Sequence, residues 1–65
     1  MVATFETKQE AINHADFKAQ EKGNSYNYKV VDLAIRNADY IGSPNRYAVV
    51  SGMDTRVIYT ARGKI

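Results

Sequence analysis

The chain has no cysteine and a single histidine, His14. The first absence excludes disulfides and thiolate metal sites. The second would oblige any zinc site to draw three carboxylates beside one imidazole, an unusual donor set. No metal and no cofactor are therefore expected. No apolar run approaches the roughly 18–20 residues that a membrane span needs. The opening residues, Met1-Val2-Ala3-Thr4-Phe5-Glu6, lack the basic start and apolar stretch of a secretory signal. The expectation is a cytoplasmic protein with no membrane association. P-loop and dinucleotide glycine patterns are also missing, since Gly42, Gly52 and Gly63 stand singly as turn residues.

What is present is short. Sixty-five residues give one small domain, 1–65, with a single layer of core. Such a domain buries only about 60% of the surface that its unfolded chain exposes. Natural chains of this size often add a disulfide, a metal or an oligomer interface. With the first two set aside, self-association or a protein partner remains as the staple.

The clearest local pattern predicts a helix over residues 8–22. Thr7 is placed to cap its start, and Glu10, three residues on, completes a capping box. Lys22 suits the last turn and Gly23 the left-handed stop. At about 100° per residue, Ala11, Ile12, Ala15 and Ala19 share one stripe, which reads as the buried face. Phe17 falls on the opposite side, among polar residues.

Beyond Gly23 the period changes from helical to alternating. Tyr26, Tyr28 and Val30 alternate with Asn27 and Lys29, as in a strand. The alternation slips at Val30-Val31, after which Val31, Leu33 and Ile35 are in phase. A β-bulge or a strand buried on both faces would produce that slip. Residues 37–45, with Asn, Asp, Gly, Ser and Pro44, read as a loop. Residues 46–51 and 56–61 read as two further strands, joined as a hairpin by Gly52-Met53-Asp54-Thr55. The hairpin register stays open, and with it the question of which sheet face is buried. The fold expected is α+β: one N-terminal helix on a three-stranded antiparallel sheet, α-β-β-β. Residues 2–5 could add a short edge strand. One alanine-rich helix covers only one face, so the other is either exposed or covered from outside that layer.

Chemistry-bearing residues are sparse. His14 has Glu10 and Lys18 four residues away along the helix, which reads as an ordinary solvated face. Asp32, Asp39 and Asp54 sit in separate elements and form no acid pair. The expectation is a non-enzymatic protein with no small-molecule substrate.

Two binding readings follow. The first is a module acting through a protein partner or its own dimer, with Phe17, Tyr28, Tyr47 and Tyr59 as contact residues. Tyrosine and phenylalanine are enriched where partners meet. A short chain of this kind suits an accessory or inhibitor protein of phage type. The alternative is single-stranded nucleic-acid or phosphate-backbone binding. Net charge is +2, but residues 1–25 balance to −1 and residues 26–65 to +3, with every arginine in the second part. Lys29, Arg36, Arg46, Arg56 and Arg62 interleave with the tyrosines, so cations could hold phosphates while rings stack on bases.

Overall fold

The computed structural model describes residues 2–21 and 28–61. They form β1 (Ala3–Phe5), α1 (Lys8–Glu21), β2 (Lys29–Asp32), β3 (Tyr47–Val50) and β4 (Val57–Thr60), with two 3-10 turns at Leu33–Ile35 and Ala38–Tyr40. The class is α+β, one helix packed on an antiparallel sheet. The sheet has four strands in the order β1-β3-β2-β4. The short N-terminal strand is thus real, and it pairs with β3 along Ala3–Val49, Thr4–Ala48 and Phe5–Tyr47.

The helix begins as its sequence dictates. The Thr7 hydroxyl oxygen accepts from the Glu10 backbone N–H at 3.3 Å, and the same hydroxyl donates to Glu10 Oε1 at 2.8 Å. The expected stop at Lys22 and Gly23 lies outside the described residues, as does Tyr26. Ala11, Ala15 and Ala19 are fully buried, and Ile12 packs beside them. Small side chains let the helix axis approach the sheet closely, where Tyr28, Val30, Val49 and Ala61 complete the core. The helix flanks reach opposite sheet edges. On one side His14 lies on Phe5 of β1, ring centres 5.1 Å apart. On the other, the Tyr59 hydroxyl of β4 donates to both carboxylate oxygens of Asp16, at 2.9 and 3.1 Å. His14 is consequently not the solvated residue that its neighbours Glu10 and Lys18 suggest. It is half-buried, and its Nε2 is buried with no hydrogen-bond partner among the described residues.

The expected β3–β4 hairpin does not form. β2 lies between those strands, pairing antiparallel with both: Val30 opposes Val49 on one side and Tyr59 on the other. β3 and β4 therefore run parallel, and residues 51–56 carry the chain back along the sheet and across β2. That path is about 10 Å sideways and about 7 Å lengthwise, within the about 20 Å that six extended residues reach. β1 and β2 are parallel too, joined through α1 with β3 inserted between them. The usual right hand of such crossovers requires these two connections to lie on opposite sheet faces. In keeping with that rule, Asp54 and Arg56 lie in the electrostatic neighbourhood of Arg36 and Tyr40, away from the helix.

Both explanations of the Val30-Val31 slip hold at once. Val30 is fully buried under the helix and Val31 is fully buried on the other face. The pairing with β4 also shifts there, since Val30 meets Tyr59 but Val31 meets Val57. Ile58 is the extra residue of a bulge on β4. It packs on the helix side beside Tyr59, whereas Val57 packs on the other face. The strand phase expected through Leu33 and Ile35 ends instead at Asp32, where the chain turns into a 3-10 segment. Leu33 and Tyr40 then fold over Val31, Ala48, Val50 and Val57. The second sheet face is thus covered by the chain's own residues 33–41.

Replacing Ala15 with Phe is expected to overpack the helix–sheet contact and cost about 1–3 kcal/mol. For a domain this small each kcal/mol corresponds to about 4–8 °C in Tm. An unchanged thermal melt would show that Ala15 does not face the sheet.

Candidate functional site

The layer on the second face is built by short side chains that turn the backbone. Asp32 closes β2 and begins the first 3-10 turn, accepting from the Ala34 N–H at 3.0 Å. Asn37 does the same for Asp39 at 3.1 Å, and Ser43 for Asn45 at 3.1 Å. Asp54 completes the series, accepting from the Arg56 N–H at 2.8 Å. Asn, Asp and Ser mimic a backbone turn in this way, so each loop segment has its own local lock. Gly42 supplies the one positive φ among the described residues, +79°, which glycine adopts without a Cβ penalty.

Two bidentate ion pairs fasten this layer. Arg46 donates from Nε and Nη2 to the two oxygens of Asp32, both at 3.0 Å. Arg56 donates likewise to Asp54, at 2.9 and 2.8 Å. The Arg46 guanidinium also lies 5.1 Å from the centre of the Tyr47 ring. The hydrogen bonds from Arg46 hold the Asp32 carboxyl below its ordinary value, against the opposing effect of burial and with help from the Ala34 N–H. Those from Arg56, side chain and then backbone, hold Asp54 well below the usual carboxylate range, and the nearby Arg36 charge adds to this. Both arginines are shifted upward in return.

This arrangement decides where each expected contact residue lies. Tyr28 is buried in the helix-side core, and Tyr47 and Tyr59 pack half-buried against that core. None of the three stands on an open sheet face, because the helix covers the face they share. The fourth described tyrosine, Tyr40, lies half-buried in the opposite cover. Phe17 is different: it is 59% exposed on the outer side of α1. Among the cations, Arg46 and Arg56 are each matched by a carboxylate, Lys29 is half-buried, and Arg36 is exposed. Arg62 lies outside the described residues. Arg36, Arg46 and Arg56 are brought to the same end of β2, but Asp32 and Asp54 come with them.

The layer also presents residues that the sequence pattern did not single out. Ile35 and Ile41 are 55% and 65% exposed, and Met53 is wholly exposed. Ile35 ends the first 3-10 turn and Ile41 follows the second, and the two turns pack against each other. Met53 adjoins Asp54, whose carboxylate feels the charge of Arg36, the residue after Ile35. Arg56 similarly senses Tyr40, the residue before Ile41. The signal that could have found them is large apolar residues in segments otherwise rich in Asn, Asp, Gly and Ser. Among the described residues no ligand-sized pocket opens, and no three metal-ligating side chains converge. No described helix is long and apolar enough to cross a membrane. Comparison with protein-family models, with curated proteins and with solved structures found no match for this chain.

The two depressed aspartates make stability depend on acid. The unfolded chain takes up protons on them first, near pH 4. Their contribution is complete above that value and falls as the pH drops toward the folded-state values. Asp32→Asn is expected to lower stability at pH 7 by about 1–3 kcal/mol, because Arg46 loses its charged acceptor. The same variant should show a shallower loss between pH 4 and pH 2 in urea unfolding. Parallel acid profiles for variant and wild type would contradict the role given to this pair.

Proposed function

We propose that this protein is a non-enzymatic binding module that acts through a protein partner, with Ile35, Ile41 and Met53 as its contact surface. One observation carries the reading: Ile35 and Ile41, 55% and 65% exposed, stand on two turns that pack together and are fixed by their own side chains, and Met53 is wholly exposed in the segment that Asp54 locks. Single exposed apolar residues are normal on protein surfaces, but a grouping of them marks an interaction site. The turns beneath are fixed by their own side chains, so binding would order little that is not already ordered, which favours affinity. Phe17 is the weaker candidate. Its helix face offers only one apolar residue, whereas a helix seated in a groove needs several at helical spacing.

The nucleic-acid reading has less behind it. A basic residue already matched by a bidentate carboxylate adds little net charge with which to displace counterions from phosphate. Tyrosines that pack into the core or its cover cannot serve as stacking platforms. A module with no chemistry of its own fits an accessory or inhibitor role.

The test is capture from lysate of the source organism, with and without nuclease, using wild type and Ile41→Asp. A protein partner that survives nuclease and is lost with Ile41→Asp is expected. Capture abolished by nuclease, or unaffected by Ile41→Asp, would overturn the reading.

A further inference from the structure

We infer that the occupant of the Ile35–Ile41–Met53 layer is a second copy of this chain, related by a two-fold axis; this rests on the protein-binding reading above. A two-fold interface must be complementary to itself, because each residue meets its counterpart's neighbour and is met by it in turn. An apolar patch satisfies that condition when the charges around it are equal and opposite. Here they are. Arg36 and Asp39 are both exposed and lie three residues apart, between Ile35 and Ile41. Neither makes an ion pair or side-chain hydrogen bond among the described residues. Asp54, the carboxylate that Arg36 influences, has both oxygens occupied by Arg56. Arg36 and Asp39 are therefore the uncommitted pair, one of each sign, in a layer whose charged residues, Arg36, Arg46 and Arg56 against Asp32, Asp39 and Asp54, sum to zero. A two-fold axis through the patch sets Arg36 of one copy toward Asp39 of the other, twice. A strongly acidic or basic partner would find no opposing net charge there.

The other surfaces are less suited to self-pairing. β1 has only three residues and β4 carries a bulge, and short or bulged edge strands resist sheet extension. The outer helix face sets a lone Phe17 among the polar residues Glu10, Asn13, Gln20 and Glu21, the last of them paired with Lys18 at 3.4 Å. A patch centred on three side chains falls short of the about 800 Å² that each partner gives a standard interface. The dimer is accordingly expected to be weak, with a dissociation constant on the order of 100 μM.

The experiment is sedimentation equilibrium from about 10 μM to 1 mM on wild type, Ile41→Asp, Arg36→Asp, Asp39→Arg, the Arg36→Asp/Asp39→Arg double variant and Phe17→Ala. All of the altered side chains are exposed, and circular dichroism verifies that each variant is folded. The wild-type mass should rise toward that of a dimer, while Ile41→Asp stays monomeric. Each single charge reversal should weaken association by at least about fivefold, and the double reversal should restore it to within about twofold. Phe17→Ala should match wild type. A wild type monomeric throughout, a double reversal no better than the singles, or loss of association in Phe17→Ala would overturn the proposal. If the wild type is monomeric but lysate capture still depends on Ile41, only the second copy is refuted. If capture is independent of Ile41 as well, the protein-binding reading falls with it.

Discussion

Asp32 is the residue on which the arrangement of the sheet and its second cover depends. Its carboxylate takes both arms of Arg46 and the Ala34 N–H, while its own backbone N–H donates to the Arg56 carbonyl at 3.2 Å. One residue thus fixes the end of the central strand to both of its neighbours and starts the turn that folds back over the sheet. The side chain is largely buried, and its negative charge is tolerated there because the Arg46 guanidinium and the Ala34 N–H donate to it. An alanine in its place would leave Arg46 without its charged acceptor and Ala34 without its turn. The 3-10 layer would then lack its anchor at the sheet.

With that junction set, the core divides into two unequal parts. The helix side is made of alanines against valine, tyrosine and isoleucine, a close contact between flat surfaces. The far side is small, built on Val31, Leu33 and Ala48 with Tyr40 over them. Val30, Val31 and Val49 are the largest fully buried side chains. Adjacent residues of β2 thus supply the centre of each part. A strand buried on both faces shows no alternation, which is why Val30-Val31 stood out in the sequence.

The legible parts were those encoded locally. Thr7, Glu10 and the alanine spacing specify α1 without reference to the rest of the chain, and each later strand has β-type residues of its own. Strand order was not legible, because it depends on where β3 inserts rather than on the residues of β3. Gly52-Met53-Asp54-Thr55 has the composition of a hairpin turn, yet Asp54 spends its side chain on Arg56 instead of reversing the chain. The Ile58 bulge breaks the alternation of β4, so no strictly alternating register groups its residues correctly. The site suffered from the same gap. Tyrosines and arginines drew notice as residue types, but the helix and the two aspartates absorb most of them. Ile35, Ile41 and Met53 became visible only once residues 33–41 and 51–56 were seen to lie outside the helix–sheet core.

The placement of β2 between β3 and β4 is the claim from which the second layer, its ion pairs and its exposed apolar residues all follow. Nuclear Overhauser contacts between backbone protons test it directly. Val30 should show cross-strand contacts to both Val49 and Tyr59. Contacts running directly between β3 and β4, such as Val50 to Val57, with none from Val30 to Tyr59, would restore the simple hairpin and contradict the account.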